Sequence, residues 1–540
     1  MNTLAKNSPG SPFRTESNAP ATHSTSRTAI IIVLLLGASL PPLDFYIVNL
    51  ALPAMRDGLQ ATGGQLQLIV SCYSSAYAVF LITGGRLGDL YGRKQMFIAG
   101  IAGFIIASAI CGLAPNGSVL ILGRVLQGAA AAVMAPQVLA TIRTIFSTEE
   151  QPRMIGLYGS VFGLASIVGQ LFGGALITLH PLGLTWQSIF LINIPIGILA
   201  LMGALRFLPE IQPSNRPKID LLGVLLLSLF LGSIIYPLTR GREAGWPAWT
   251  FISFAASVPI LALFIWFEGW LAKVGGSPLV DLKLFKNSTF VAGLAMAFLF
   301  YCSSVFFLTF GIYLQSGLGW TSLASGIGIL PFAFGFFAGT LRSAKLYARI
   351  GNHILSVGFG LLAGGFAITA SALLAGFGPG VMFYLGLIFA GVGQGLLQPS
   401  TVRIVLTEVE PEQAGLAAGV VTSILQIGTA VGVAAVGSVF FTVLGQQNAP
   451  GAYGNAFASA LAVVACLQVL GMLLATKMNH RPRKAVRAVP PAAAMPRAFP
   501  HRRHIGALFP AIGTKTRRCP GTPALVALAN QKQTKCGGKD

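Results

Sequence analysis

Fourteen apolar runs, each about long enough to cross a bilayer as a helix, recur between residues 28 and 477 of this 540-residue chain. A span needs roughly 20 apolar residues, and inside hydrocarbon the backbone must satisfy its own hydrogen bonds. The runs lie at about 28–50, 65–84, 95–113, 118–146, 154–179, 186–207, 219–238, 248–271, 288–314, 322–345, 353–376, 380–406, 413–443 and 454–477. Only 9% of residues are charged, against about 25% in soluble chains. The expected fold is an all-α membrane protein.

The charge of +21 would suit a nucleic-acid partner, but its distribution does not. Fourteen of the 36 Lys and Arg lie from Lys477 onward, and most others sit in alternate loops. With the N-terminus inside, inner loops hold Arg86, Arg93, Lys94, Arg153, Arg216, Lys218, Lys273, Lys283, Lys286 and Arg349. Outer loops hold only Arg56, Arg240 and Arg242. This is the positive-inside pattern. It predicts a multi-pass protein of the inner (plasma) membrane with both termini cytoplasmic and no nucleic-acid partner. Cys72, Cys111, Cys302 and Cys466 lie in apolar runs, and Cys519 and Cys536 near the C-terminus. None has metal-ligand spacing, so no metal or cofactor is expected. The first run is too long for a signal-peptide core, and Asp44 interrupts it.

The chain echoes itself. Arg86-Leu87-Gly88-Asp89-Leu90-Tyr91-Gly92 returns as Lys345-Leu346-Tyr347-Ala348-Arg349-Ile350-Gly351, and Gly169 and Gly173 return as Gly428 and Gly432. Both echoes share one offset of 259 positions (345 − 86 and 428 − 169). Two related halves suit alternating-access transporters. The expected organisation is a disordered cytoplasmic N-tail over 1–27, an N-terminal six-helix bundle over 28–207 and a central two-helix insertion over 208–286. A C-terminal six-helix bundle over 287–477 and a basic disordered cytoplasmic tail over 478–540 complete it. That tail suits either an anionic membrane surface or plain solvation.

Four features carry chemistry. The stretch Gly84-Gly85-Arg86-Leu87-Gly88-Asp89-Leu90-Tyr91-Gly92-Arg93-Lys94 reads as a tight, basic loop between two spans. Its Gly85, Gly88 and Gly92 permit close turning, Asp89 suits a helix N-terminus, and Arg86, Arg93 and Lys94 hold it inside. It is either a switchable cytoplasmic latch or a topogenic loop. Asp44 places a carboxylate in an apolar span, at a cost of several kcal/mol; it faces a cavity or sits at the outer helix end. Arg124 is the one basic residue deep in a span and shares a helix face with Gln127 and Gly128. A buried guanidinium needs a partner, and Asp44 is the expected one; the pair carries protons or is purely structural. Gly169, Gly173 and Gly174 give the fifth span a small-residue packing face. Tyr73, Tyr77, Tyr301 and Phe307, with Gln127, are candidates to line a substrate cavity. Glu268, between Trp266 and Trp270, reads as interfacial.

Together these motifs are specific. Gly85 to Lys94 resembles the signature between the second and third helices of the major facilitator superfamily. Leu120 to Ala132, with Arg124, Gln127 and Gly128, is similar to its fourth-helix motif, and Leu43-Asp44 to Leu52-Pro53 resembles the first-helix motif of its fourteen-span drug:proton antiporters. The resemblance covers about residues 28–477. It implies the major facilitator fold, two six-helix bundles plus two extra central helices. It also implies proton-coupled export of drugs or other amphiphilic small molecules, with Asp44 and Arg124 in proton coupling and no enzymatic activity. A periplasmic adaptor is a further candidate partner. One motif departs: Gly169-Gln170-Leu171-Phe172-Gly173-Gly174 has Gln170 where the antiporter pattern has proline. A proton-coupled uptake carrier and a non-transporting receptor remain as alternatives. An ATP-driven pump does not, because no phosphate-binding Gly-x-x-x-x-Gly-Lys-Ser/Thr loop occurs.

Overall fold

The computed structural model describes residues 24–147, 149–210, 219–407, 414–447 and 449–479. Expectations for the N-tail before Ser24, for Arg216 and Lys218, and for the basic tail with Cys519 and Cys536 fall outside the described residues. Helices account for nearly all of them: α1 Ser24–Leu59, α2 Gly63–Tyr91, α3 Arg93–Gly112, α4 Gly117–Ile145, α5 Gln151–Leu179, α6 Ser188–Leu191 and α7 Asn193–Phe207 form the first half. Helices α8 Leu221–Arg240 and α9 Ala248–Lys273 follow as a hairpin. The second half comprises α10 Ser288–Tyr301, α11 Val305–Ile312, α12 Ser322–Gly328, α13 Leu330–Ile350, α14 His353–Leu374, α15 Val381–Thr407, α16 Ala414–Leu444 and α17 Pro450–Asn479. They make 14 stretches long and apolar enough to cross a membrane.

Three of those stretches are broken, each for a local reason. Between α6 and α7, Pro195 cannot donate to the Leu191 carbonyl, so the ladder resets at Ile192. Between α10 and α11 a 3₁₀ turn at Cys302–Ser304 meets α16, whose Gly432 lies directly against the Cys302 backbone. Between α12 and α13 a single residue, Ile329, separates the helices ahead of Pro331.

The glycine-rich stretch is not a loop. Helix α2 continues to Tyr91 and α3 restarts at Arg93, leaving only Gly92 outside a helix, with φ of +97°. Its glycines serve close packing instead. A Cβ on Gly84 would collide with the Ala132 carbonyl, and one on Gly88 with the Gln137 side chain, so α2 and α4 touch backbone to backbone. Gly351 occupies the matching turn between α13 and α14, with φ of +57°.

The repeat is physical. Gly169 and Gly173 of α5 press on Leu43, Tyr46 and Ile47 of α1, while Gly428 and Gly432 of α16 press on Phe298, Tyr301 and Cys302 around the end of α10. The fifth crossing of each half therefore packs on its first through the same glycine pair. Helix α5 runs without interruption through Gln170, as a chain lacking a proline there allows.

The α8–α9 hairpin lies outside both halves. Helix α8 packs on α2 and α16 together, while α9 leaves most of its apolar surface outward. Gly84→Ala is expected to lower stability by about 1–3 kcal/mol, because the helices must separate. Gly156→Ala, which faces open space, should change it little. Thermal unfolding of the purified protein checks both.

Candidate functional site

Pro41 and Pro42 lie within α1 just ahead of Asp44, and each removes one rung of the helix ladder beside it. Asp44 projects inward and is fully buried. Arg124 of α4, also without exposure, forms an ion pair with its Oδ2. Gln127, one turn along α4, donates to Asp44 Oδ1 at 2.8 Å and to Ser108 Oγ of α3 at 2.9 Å, and its carbonyl accepts from Arg124 at 2.6 Å. Asn193, the first residue of α7, donates to Asp44 Oδ1 at 3.1 Å. Arg124 Nε donates to the Ile69 carbonyl of α2 at 3.0 Å. Three crossings of the first half thus meet at one carboxylate, and α2 and α3 join through its partners Arg124 and Gln127.

Unpaired burial of either charge would cost many kcal/mol. Paired and hydrogen-bonded, the two stabilise each other in a low dielectric. The pair is not exposed to the cavity directly. Tyr73 lies between, its ring 4.2 Å from the Arg124 guanidinium, and the same residue lines the central cavity.

That cavity, about 80 Å³, lies between the halves. Tyr73, Tyr77, Tyr301 and Phe307 all line it, with Phe45, Tyr46, Tyr158, Gln394, Gln398 and Gln426. Gln398 donates to the Tyr301 hydroxyl at 2.5 Å. Gln127 does not line it: its amide is fully used within the ion-pair cluster, which corrects the expectation that it faces substrate. Toward the Gly92 end the space widens into a cavity of about 530 Å³, reaching Arg86, Asp89, Arg93 and Arg143. Tyr77, Ala135 and Tyr158 line both spaces. A few hundred cubic ångströms suits a drug-sized molecule.

The opposite end is shut. Gln315 donates to the Leu50 carbonyl at 2.8 Å, and Leu323 N–H donates to Thr178 Oγ1 at 3.2 Å. Gly174 sits against Ser322 and Leu323, and Gly326 against the Gln170 carbonyl. Gly174 of the α5 motif thus helps close one end while the chamber opens at the other.

The remaining basic residues divide their work. Arg93 donates to the Ala140 carbonyl of α4 at 2.7 Å and to Thr144, and lies 3.7 Å from Asp89. Lys94 donates to the Leu205 carbonyl at 3.2 Å. Both bind within the first half, and Asp89 is exposed in the last turn of α2 rather than capping a helix start. Arg86 alone reaches out of that half, to the carbonyls of Ser277 and Pro278 after α9.

Sequence reasoning missed Asn193, Gln394, Gln398 and Gln426. All are amides in apolar runs, and the same argument that selected Asp44 applies to them at lower cost. It also misread Glu268, which is fully buried. Among the described residues no group of three or more His, Cys, Asp or Glu side chains could hold a metal ion.

Comparison with known proteins agrees with this fold. The family profile described as Major Facilitator Superfamily matches residues 34–433 and 294–517. The chain belongs to the major facilitator superfamily. It is 36% identical over 425 residues to a protein named probable actinorhodin transporter from Streptomyces coelicolor, covering 78% of this chain and 74% of that protein. The tetracenomycin C resistance and export protein of Streptomyces glaucescens is 31% identical, covering 77% and 76%. The methylenomycin A resistance protein of Bacillus subtilis is also 31% identical, covering 77% and 89%. Among solved structures, a bacterial homologue of the human lysosomal transporter Spinster, inward-facing and unoccupied, superposes with a TM-score of 0.60 at 16% identity, covering 86% of this chain and all (100%) of that one. The protein is a multi-span membrane transporter that acts on small molecules.

Breaking the buried pair from either side should cost stability. Asp44→Asn and Arg124→Gln are each expected to destabilise by about 3–5 kcal/mol, with the double variant well short of their sum. Additive losses in thermal unfolding would mean that the two charges do not interact.

Proposed function

We propose that this protein exports amphiphilic small molecules across the cell's inner membrane in exchange for protons, by alternating access. The observation that carries this reading is a fully buried carboxylate–guanidinium pair set one tyrosine ring behind the wall of a central cavity. Asp44 and Arg124 have opposite requirements for burial in each protonation state. Ionised, Asp44 compensates Arg124. Protonated, it leaves the guanidinium uncompensated in a low dielectric, which disfavours the arrangement that buries both. A proton and a conformation are therefore linked, and a ligand shifts such an equilibrium only by its differential affinity for the two states.

Orientation supports the direction. The open end carries Arg86, Arg93, Lys94, Arg143, Lys273 and Lys283, and the shut end Arg56, Arg240 and Arg242. The positive-inside rule assigns the open end to the cytoplasm, with both termini on that side. Substrate enters from the cytoplasm or inner leaflet. Tyr73 takes the position through which occupancy is felt at Arg124, because its ring lies on the guanidinium and the same residue lines the cavity.

The lining is aromatic and amide-rich, and no carboxylate lies among its residues. Neutral, monocationic or anionic amphiphiles suit it; dications do not. The names of the relatives, which include antibiotic resistance and export, fit the same class. The nearest competing reading is uptake of a metabolite on this fold.

Transport into inverted vesicles, with and without a protonophore, tests the proposal. Export of dyes or antibiotics is expected to collapse with the protonophore and to be lost in Asp44→Asn. Phe307→Ala should change the ranking of substrates while leaving protonophore sensitivity intact. Normal pH-driven export by Asp44→Asn would sink the coupling role. Uptake of a metabolite in place of export would keep the fold and reverse the direction.

A further inference from the structure

Arg86 meets backbone carbonyls, not a carboxylate, in the segment that leaves α9: Ser277 at 2.7 Å, and Pro278. Two acids hold that segment in place. Glu268, in the last turns of α9, accepts through Oε2 from Val280 N–H at 2.9 Å. Asp220, the residue that caps α8, accepts through Oδ1 from Gly223 N–H at 2.7 Å and through Oδ2 from Leu279 N–H at 3.3 Å. Both side chains are buried, with 6% exposure at Asp220 and 0% at Glu268.

The free oxygen of Glu268, Oε1, lies beside Asp220 Oδ2. Asp220 Oδ2 and Glu268 Oε1 press on the same flank of Gly223, where an added Cβ would collide with both. That one Cβ would meet both oxygens, so the two carboxyls are close neighbours. Glu268 Oε1 nonetheless finds no donor among the described residues. An ionised carboxylate only accepts, so two of them cannot satisfy that oxygen, and like charges this close in a buried site do not both persist. The cation that faces the pair is Arg86 of α2, and its two terminal nitrogens are already given to Ser277 and Pro278. Asp281 turns to the next helical turn, accepting from Lys283 N–H at 2.9 Å.

We infer that Asp220 and Glu268 share one proton, forming a proton-binding site on the inserted hairpin that is separate from Asp44. One carboxyl donates its O–H to the other's oxygen, and the 277–280 segment is held in the shape that receives Arg86. Release of the proton to water leaves two carboxylates in contact. Their repulsion separates the ends of α8 and α9, and Arg86 exchanges its carbonyl partners for the carboxylates. Proton occupancy at the hairpin is thereby tied to the one basic side chain of the motif that leaves the first half. The site goes beyond the transport reading and does not depend on Asp44.

Infrared spectroscopy of the full-length protein in lipid nanodiscs tests this. At neutral pH the wild-type protein is expected to show the carbonyl stretch of a protonated carboxyl. Asp44→Asn should keep that band. Glu268→Gln and Asp220→Asn should each lose it, because an amide supplies the missing N–H and the partner then ionises. No such band in the wild-type protein at neutral pH overturns the proposal without recourse to any variant. A band lost in Asp44→Asn, or unchanged in both hairpin variants, overturns it too. Loss of the transport reading, by contrast, would show as normal pH-driven export in Asp44→Asn and would leave the hairpin band where it is.

Discussion

A carboxylate and a guanidinium buried together in a membrane protein set the terms for the helices around them. Each would be prohibitive alone. Held together, they demand donors for the free carboxylate lone pairs and acceptors for the remaining guanidinium protons. Gln127 and Asn193 supply donors to Asp44 Oδ1, and Gln127 and the Ile69 carbonyl serve as acceptors for Arg124. Because these groups come from different helices, the relative positions of α1, α2, α4 and α7 are bound to the charge state of one acid. Helix α3 joins through Ser108. Among the described residues the second half has no such centre: the position that corresponds to Asp44, by the matching glycine contacts on α1 and α10, is Leu299. The scaffold is repeated and its chemistry is not.

Glycine makes the repetition possible. Without a hydrophobic drive between helices in lipid, tight van der Waals contact supplies the attraction, and small residues let the backbones meet. The contacts are backbone to backbone at Gly84 on Ala132, Gly391 on Phe332 and Gly395 on Phe336. The same logic explains why a glycine-rich stretch that reads as a loop is helix up to Tyr91. Gly84 and Gly88 face α4, where no side chain fits, and only Gly92 adopts a backbone angle that other residues avoid. Composition announced the glycines, but whether they turn the chain or pack it depends on what lies opposite.

The same limit explains what was and was not legible elsewhere. Hydropathy alone located the crossings, since hydrocarbon leaves a chain few alternatives. The partnership of Asp44 and Arg124 followed from scarcity, because so few charges lie in the spans. Glu268 was misread because its neighbours point the other way. Trp266 and Trp270 are 65% and 47% exposed on the outer face of α9, and a residue midway between them on a helix faces the opposite side. Gln127 was assigned to the cavity for its place beside Arg124, yet an amide next to an ion pair is consumed by that pair. Asn193 stands in an apolar run before Pro195, and nothing in the run discloses that the break in the helix aims its amide at Asp44.

The inserted hairpin gives these elements a mechanical relation. Helix α8 bridges α2 of the first half and α16 of the second. At the shut end Glu243 accepts from Gly64 N–H at 2.6 Å and from Arg240 at 2.8 Å, so the hairpin turn grips the start of α2. At the open end Arg86 of α2 grips the hairpin's exit. Helix α16 meets the same α8 through Ser438 Oγ, which donates to the Leu238 carbonyl at 2.5 Å. On the alternating access proposed above, rocking of the halves moves α2 against α16, and α8, held to both, cannot follow the two at once. One set of grips has to yield. The grips at both ends are charge-assisted, Glu243 accepting as a carboxylate and Arg86 donating as a guanidinium, but Arg86 also has the buried carboxyls of Asp220 and Glu268 nearby as alternative partners. Charge-assisted bonds are the strong ones, so the end at which a lost bond can be replaced, the open end, is the side on which the hairpin lets go.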